Sequence, residues 1–186
     1  MEIRPLTSSD QPLLIDLDAT IESSQYLHLD RSGEGLNVVW KIEERPLRSR
    51  LIDNNAIDDD LRFRLKQVTA GIEEGLALAM ELEGAIVGIL LAERDAERWL
   101  LKLVDVRVDF EWRRQGFASA MVFQAIQHAR DTEMRAMYAE SRTNNLPAAL
   151  FLNKLGFEMS GLDGKRNSNH DVVKESATLM WYLTLE

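Results

Sequence analysis

The stretch Val104–Met121 constrains this chain more than any other. It reads Val-Asp-Val-Arg-Val-Asp-Phe-Glu-Trp-Arg-Arg-Gln-Gly-Phe-Ala-Ser-Ala-Met. Its first residues alternate and are rich in valine, as in a strand. The residues after Gly116 recur at helical spacing: Ala118, Val122, Ala125, Ile126 and Ala129 make one face. Between strand and helix sits Arg113-Arg114-Gln115-Gly116-Phe117-Ala118. A small-residue turn that feeds a helix leaves the first backbone N–H groups without intrahelical acceptors. Those donors and the positive end of the helix dipole suit a phosphate. Gly116 and Ala118 let the main chain approach a ligand, and the two arginines can add charge-assisted bonds. The same residues also read as an ordinary turn with solvated arginines. The spacing fits neither Gly-x-x-x-x-Gly-Lys-Ser/Thr nor Gly-x-Gly-x-x-Gly.

At 186 residues and 45% hydrophobic content, the chain has the length and apolar material for one folded domain spanning 1–186. It has no cysteine, which removes disulfides, thiolate metal sites and a cysteine nucleophile, and fits a reducing, cytoplasmic setting. No apolar signal segment follows Met1, and the small-plus-apolar run 84–92 is too short to span a bilayer, so no membrane partner is expected. A net charge of −9 argues against nucleic acid as a partner and admits a cationic substrate, although an acidic surface also serves solubility alone. His28, His128 and His170 show no metal-ligand spacing with nearby carboxylates, so no metal site is expected.

Taken in order, residues 1–6 read as a strand. Ser9 or Asp10 then caps a helix carried by Leu13, Leu14, Leu17 and Ile21 to about Ser23. Arg31–Gly35 is a turn, and Leu36–Ile42 reads as a strand or an extended arm. The charged segment 43–55, broken by Pro46, reads mainly as loop. A helix follows over 57–71, then a hairpin of strands 76–82 and 85–93 turning at Glu83-Gly84. Strand 99–108 leads into the opening motif. Strand 134–141, a short helix ending at Gly156, strand 157–162, a polar loop 163–171 and strand 177–185 complete the chain. Strands with helices mostly between them give an α/β (α+β) domain.

Two motifs in sequence order carry a resemblance. Arg113-x-x-Gly116-x-Ala118 fits the Arg/Gln-x-x-Gly-x-Gly/Ala turn of GCN5-related N-acetyltransferases (GNAT). Asn145-Leu-Pro-Ala-Ala-Leu-Phe151-Leu-Asn-Lys-Leu-Gly156-Phe157 resembles the segment Asn-x-x-Ala-x-x-Phe/Leu-Tyr-x-x-x-Gly-Phe of the same superfamily. The match covers roughly residues 76–186. The runs Val104–Val108, Ala139–Asn145, Gly156–Asp163 and Leu179–Leu183 look most like the streptothricin acetyltransferase group.

That resemblance implies a mixed, mostly antiparallel seven-stranded sheet flanked by helices, with two splayed parallel central strands. It implies acetyl-CoA as co-substrate. The pyrophosphate would sit on the N–H groups of Arg113, Arg114, Gln115, Gly116, Phe117, Ala118 and Ser119. The pantetheine would pair with backbone near Val106 and Val108, and Asn145 would bond it; the same Asn145 could also cap a helix. The reaction would transfer an acetyl group directly to a primary amine of a small cationic acceptor. An alkyl amine titrates near ~10, so a base must take its proton. Glu140 and Asp105 are the candidates, although Asp105 has Arg107 and Lys102 as potential ion-pair partners. The usual tyrosine acid is replaced by Leu152. Either the thiolate leaves unaided or with water, or a hydroxyl such as Tyr182, Tyr138 or Ser141 substitutes. Tyr26, Trp40 and Trp181 would line an acceptor pocket or pack in the core. Other readings are a non-catalytic acyl-CoA-binding or regulatory domain and a protein or peptide N-acetyltransferase. The family also admits a homodimer.

Overall fold

The computed structural model describes residues 1–185. In chain order the elements are β1 (Glu2–Pro5), a 3-10 helix (Ser8–Asp16), β2 (Ile21–Glu34), β3 (Asn37–Asp53), α1 (Asp59–Thr69), β4 (Gly75–Leu82) and β5 (Ala85–Asp95). There follow β6 (Leu100–Val108), a 3-10 turn (Phe110–Trp112), α2 (Phe117–Asp131), β7 (Ala136–Arg142), α3 (Leu146–Lys154), β8 (Glu158–Asp163) and β9 (Thr178–Thr184). Seven strands form one sheet in the order β1-β4-β5-β6-β7-β9-β8, and β2 pairs with β3 separately. This is the mixed α/β architecture expected, with β6 and β7 as the parallel pair. The chain divides into two compact units, residues 1–20, 54–139 and 182–185 in the first and residues 21–53 and 140–181 in the second.

In the first unit, β1, β4, β5 and β6 pair antiparallel in succession, and β6 pairs parallel with β7 from Leu100↔Ala136 to Leu103↔Ala139. The β4–β5 hairpin turns at Glu83 and Gly84, both at positive φ (52° and 85°). That conformation matches the twist of the strands it joins. Directly paired residues share a face. On one face Ala77, Ala79, Ile89 and Leu91 pack with Leu61 and Leu65 of α1 and with Leu6 and Leu14. The other face receives α2: a Cβ added at Gly88 would meet the Met121 methyl at 3.1 Å. Met121, Val122, Ala125 and Ala129 are fully buried there; Met121 belongs to this stripe although the sequence pattern passed over it. Asp58 caps α1 by accepting from the Leu61 N–H at 2.8 Å. Between Leu91↔Asp105 and Ala92↔Leu103, Val104 is an extra residue, a bulge in β6.

The N-terminal helix departs from the sequence reading. It is a 3-10 helix that stops at Asp16 rather than near Ser23, and its N-cap is Thr7. Thr7 N–H donates to the Asp10 carboxylate at 2.8 Å, closing a reciprocal box. The helix stops where Asp18 offers the chain another partner, accepting from Thr20 N–H at 3.0 Å.

In the second unit β2 and β3 form a long hairpin through Gly35 and Leu36. The segment 43–55, expected as loop, is mostly strand. Pro46 is accommodated because the ladder is interrupted beside it. Pairing jumps from Gln25↔Pro46 to Ser23↔Leu51, and the intervening Arg48 bonds Glu175 Oε1 at 3.1 Å. Buried Thr143 bridges segments of this unit, donating its N–H to Ala177 O and its hydroxyl to Glu175 O while accepting from Leu27 N–H.

Candidate active site

The site begins where β6 ends. Asp109 N–H donates to Val87 O at 2.9 Å. In antiparallel alternation this turns the N–H and C=O of Val106 and Val108 away from β5. The Val108 carbonyl is taken on that side by Arg113 Nε at 3.0 Å. Asp109 then accepts from Glu111 N–H and starts the short 3-10 turn. Arg114 (φ 64°) and Gly116 (φ 87°) both lie in the left-handed region, and the chain enters α2 from Gly116. A glycine suits that backbone without strain. A Cβ added there would find nothing within 4 Å, so it is the backbone angle, not crowding, that selects glycine, and the space before the helix is open.

Gly116 supplies no side-chain cap to α2, and the first helical bond is Ala120 N–H to Gly116 O at 2.9 Å. The N–H groups of Phe117, Ala118 and Ser119 therefore point out of the first turn with no intrahelical acceptor. Their direction, the helix dipole and the open space fit a phosphate group. Arg114 and Gln115 are exposed beside it, Ala118 and Ser119 half-buried, and Phe117 is buried under the turn.

Arg113 is used differently from the phosphate contact the sequence suggested. Its guanidinium faces inward, donating to Val108 O and to Thr20 O at 2.6 Å, and stands 5.0 Å over the Phe110 ring. The same segment is tied twice more: Asp18 N–H donates to the Asp109 carboxylate at 3.0 Å and Phe110 N–H to Asp18 O at 2.8 Å. Asp18 and Thr20 thus hold the turn. No local pattern marked them, because their partners lie about ninety residues on.

Asp105 pairs with Leu91 in register, so it lies on the α1 face, opposite α2. Both its oxygens are held by Arg107, Nε at 2.6 Å and Nη2 at 3.2 Å, and Arg107 Nη1 reaches Asn55 O at 2.7 Å. Burial pushes the Asp105 carboxyl above its usual range, against the pull of Arg107. The Arg107 pairing weighed from the sequence is the one present, and it leaves Asp105 less available as a base. Tyr182 is half-buried with its ring centre 5.0 Å from that of Tyr138, and Lys102 Nζ lies 5.9 Å from the Tyr138 ring. Lys102 registers with both Glu93 and Tyr138, which places these rings on the Asp105 face.

In the second unit, Glu140 has both carboxylate oxygens against Arg166 Nη2, at 2.9 and 3.2 Å. Arg166 stands on a loop shaped by buried Asp171. That carboxylate accepts from Asn167 N–H and Ser168 Oγ, which hold it below its usual range. Asn145 is the N-cap of α3, accepting from Ala148 N–H at 3.3 Å; the capping alternative is realised. Leu152 is buried. Trp181 is also core, with Nε1 donating to Ser141 Oγ at 2.9 Å, and buried Tyr26 bonds His28 Nδ1. Trp40 is exposed on β3.

The acetyltransferase (GNAT) family model matches residues 36–157. Among curated proteins nothing matches significantly. Solved structures do match. One is a Bacillus anthracis protein described as a streptothricin acetyltransferase, in complex with acetyl coenzyme A. It is 20% identical with a TM-score of 0.77, covering 100% of this chain and 97% of that one. A nourseothricin acetyltransferase is 18% identical with a TM-score of 0.77, covering 100% and 98%. The ribosomal-protein-S18-alanine N-acetyltransferase of Escherichia coli is 14% identical with a TM-score of 0.63, covering 100% and 94%. No helix among the described residues is long and apolar enough to cross a membrane.

Proposed function

The chain belongs to the acetyltransferase (GNAT) family, and from that premise we propose that its acceptor is a primary amine of a small cationic molecule of the streptothricin kind. Acetyl coenzyme A is the co-substrate and supplies the acetyl group as an activated thioester. The N–H groups of Phe117, Ala118 and Ser119 bind the pyrophosphate, with Arg114 adding charge at the rim. Arg113 keeps the turn in shape from behind. Val106, and Val108 through its N–H, offer the pantetheine arm backbone groups that β5 does not use. Glu140 takes the proton of the incoming ammonium at its carboxylate, with Asp105 as the second candidate. Tyr182 is the hydroxyl that replaces the family's tyrosine as proton donor, at Oη. Asn145 both caps α3 and offers its Nδ2 to the pantetheine.

The observation that carries the choice of acceptor is the likeness to the two streptothricin-type structures. It reaches a TM-score of 0.77 and spans nearly the whole of both partners. The net charge of −9 supports a cationic acceptor. A second reading, a protein N-terminal amine, is favoured by the ribosomal-protein enzyme, which also aligns over 100% of this chain. Thiol release measured with acetyl-CoA and either nourseothricin or an alanine-starting peptide separates the two. Turnover with nourseothricin and none with the peptide is expected, and the reverse would move the assignment to protein amines.

A further inference from the structure

In the first unit, apart from every residue discussed above as a site, a cavity of about 260 Å3 opens between the N-terminal 3-10 helix and α1. Its apolar lining comes from Leu14, Ile15, Ile57 and Leu65. Two polar groups line it as well, Gln11 and Arg62. Gln11 Nε2 is buried and finds no hydrogen-bond partner. A buried amide donor left unsatisfied is destabilising, so its retention calls for an explanation.

Arg62 deepens the anomaly. It sits four residues after Asp58 and three after Asp59 on α1, the spacings at which helical ion pairs form. Among the described residues it pairs with neither, although the chain is rich in acids. Its side chain lines the cavity instead. The neighbouring arginines behave otherwise, Arg64 binding Glu93 and Arg4 binding Asp10. One cation and one neutral donor, both unspent, stand at an apolar hollow in which no acid takes part.

We infer that this cavity binds a small apolar carboxylate, with Arg62 and Gln11 on its oxygens and the Leu14–Leu65 floor under its hydrocarbon. At about 260 Å3 the hollow is smaller than the roughly 300–1,000 Å3 of a drug-sized site, so it suits a small guest, a chain or ring of about six to eight carbons. A cationic or purely apolar guest would leave both donors unspent. The inference is independent of the acetyl acceptor, and its test reads binding rather than turnover.

Octanoate, 1-octanol and octylammonium, titrated by calorimetry and by thermal unfolding, differ only in the head group. Saturable octanoate binding that raises the melting temperature is expected. Binding of 1-octanol or octylammonium should be weaker by about tenfold or more, the weight of a charge-assisted hydrogen bond. Arg62→Gln, a change on an exposed helix face, should weaken octanoate to the same degree while leaving acetyl-CoA affinity unchanged. Gln11→Leu should also weaken octanoate, with an unliganded melting temperature that holds or rises because the orphan donor is gone. The inference falls if octanoate and 1-octanol bind alike, if octanoate shows no saturable binding, or if either variant keeps full octanoate affinity.

Discussion

Two arginines show how differently the two units arm themselves. At the end of β6, Arg113 turns inward onto two backbone carbonyls, so the turn keeps its shape and its N–H groups stay unspent. In the second unit, Arg166 reaches from a polar loop onto Glu140, so there the acid is spent and its cation stands half in solvent. The first arrangement leaves its donors in place and open, as the proposed pyrophosphate site requires. The second is an acid already holding a cation, which another cation can replace. Backbone donors fixed by a fold bind a constant group well; an exchangeable side-chain pair suits a variable one.

The comparison breaks most readily at Gly116. Gly116→Glu places a carboxylate before the α2 N-terminus on a backbone angle that L residues resist. Calorimetry should show acetyl-CoA binding abolished while circular dichroism reports a folded chain. Retained binding would mean that the turn is not the anion receptacle. The corresponding change in the second unit, Glu140→Gln, should lower kcat/KM by about a hundredfold, the scale of a lost general base. Its acetyl-CoA affinity should equal that of the parent, so a parallel loss of both would blur the division proposed here.

Arg113→Ala tests whether the inward arginine braces rather than binds. It strands two carbonyls and should cost roughly 2–3 kcal/mol, read as a fall in the urea midpoint. If stability is unchanged and only acetyl-CoA affinity falls, the arginine is a ligand after all. Farther from the turn, Asp10 braces the same unit. It is buried against Arg4 and Thr7, which hold its carboxyl well below its usual range. Because its folded-state pKa is depressed, its contribution is complete above about pH 4 and is lost as pH falls below that. Asp10→Ala should therefore cost about 1–3 kcal/mol at neutral pH and progressively less in acid. A deficit independent of pH between 5 and 2 would show that the carboxylate's charge is not what matters. The smallest effect belongs to Arg166→Ala. Removing a half-exposed partner of Glu140 should lower the KM for a cationic acceptor severalfold, as befits a pair worth up to about 1 kcal/mol. A raised KM would recast Arg166 as part of the acceptor site.

The sequence was most legible where the chemistry is local. The positive-φ pair Glu83-Gly84 and the run from Val104 to Ala118 each carry their structure in neighbouring residues. The hairpin of β2 and β3 was hidden for a physical reason. Most of β3 is exposed on both faces, so no alternation of apolar and polar residues appears, and Pro46 argued against a strand whose ladder is in fact interrupted beside it. The N-terminal helix was over-read because Leu17 and Ile21 continued a helical spacing that the Asp18–Thr20 bond breaks. At the candidate site, Gly116 and its neighbours stood out, while the inward role of Arg113 did not. A guanidinium's partner depends on which carbonyl the fold brings near, and Thr20 is 93 residues away.

That separation has a consequence in time. Arg113 to Thr20 and Asp18 to Asp109 close loops spanning 93 and 91 residues, so the clasp forms only after most of the intervening chain has been gathered in. Contacts of such range are among the slow ones to assemble. A refolding chain should regain its helical signal first and its grip on acetyl-CoA last, so that co-substrate capture marks the moment at which the first unit is complete.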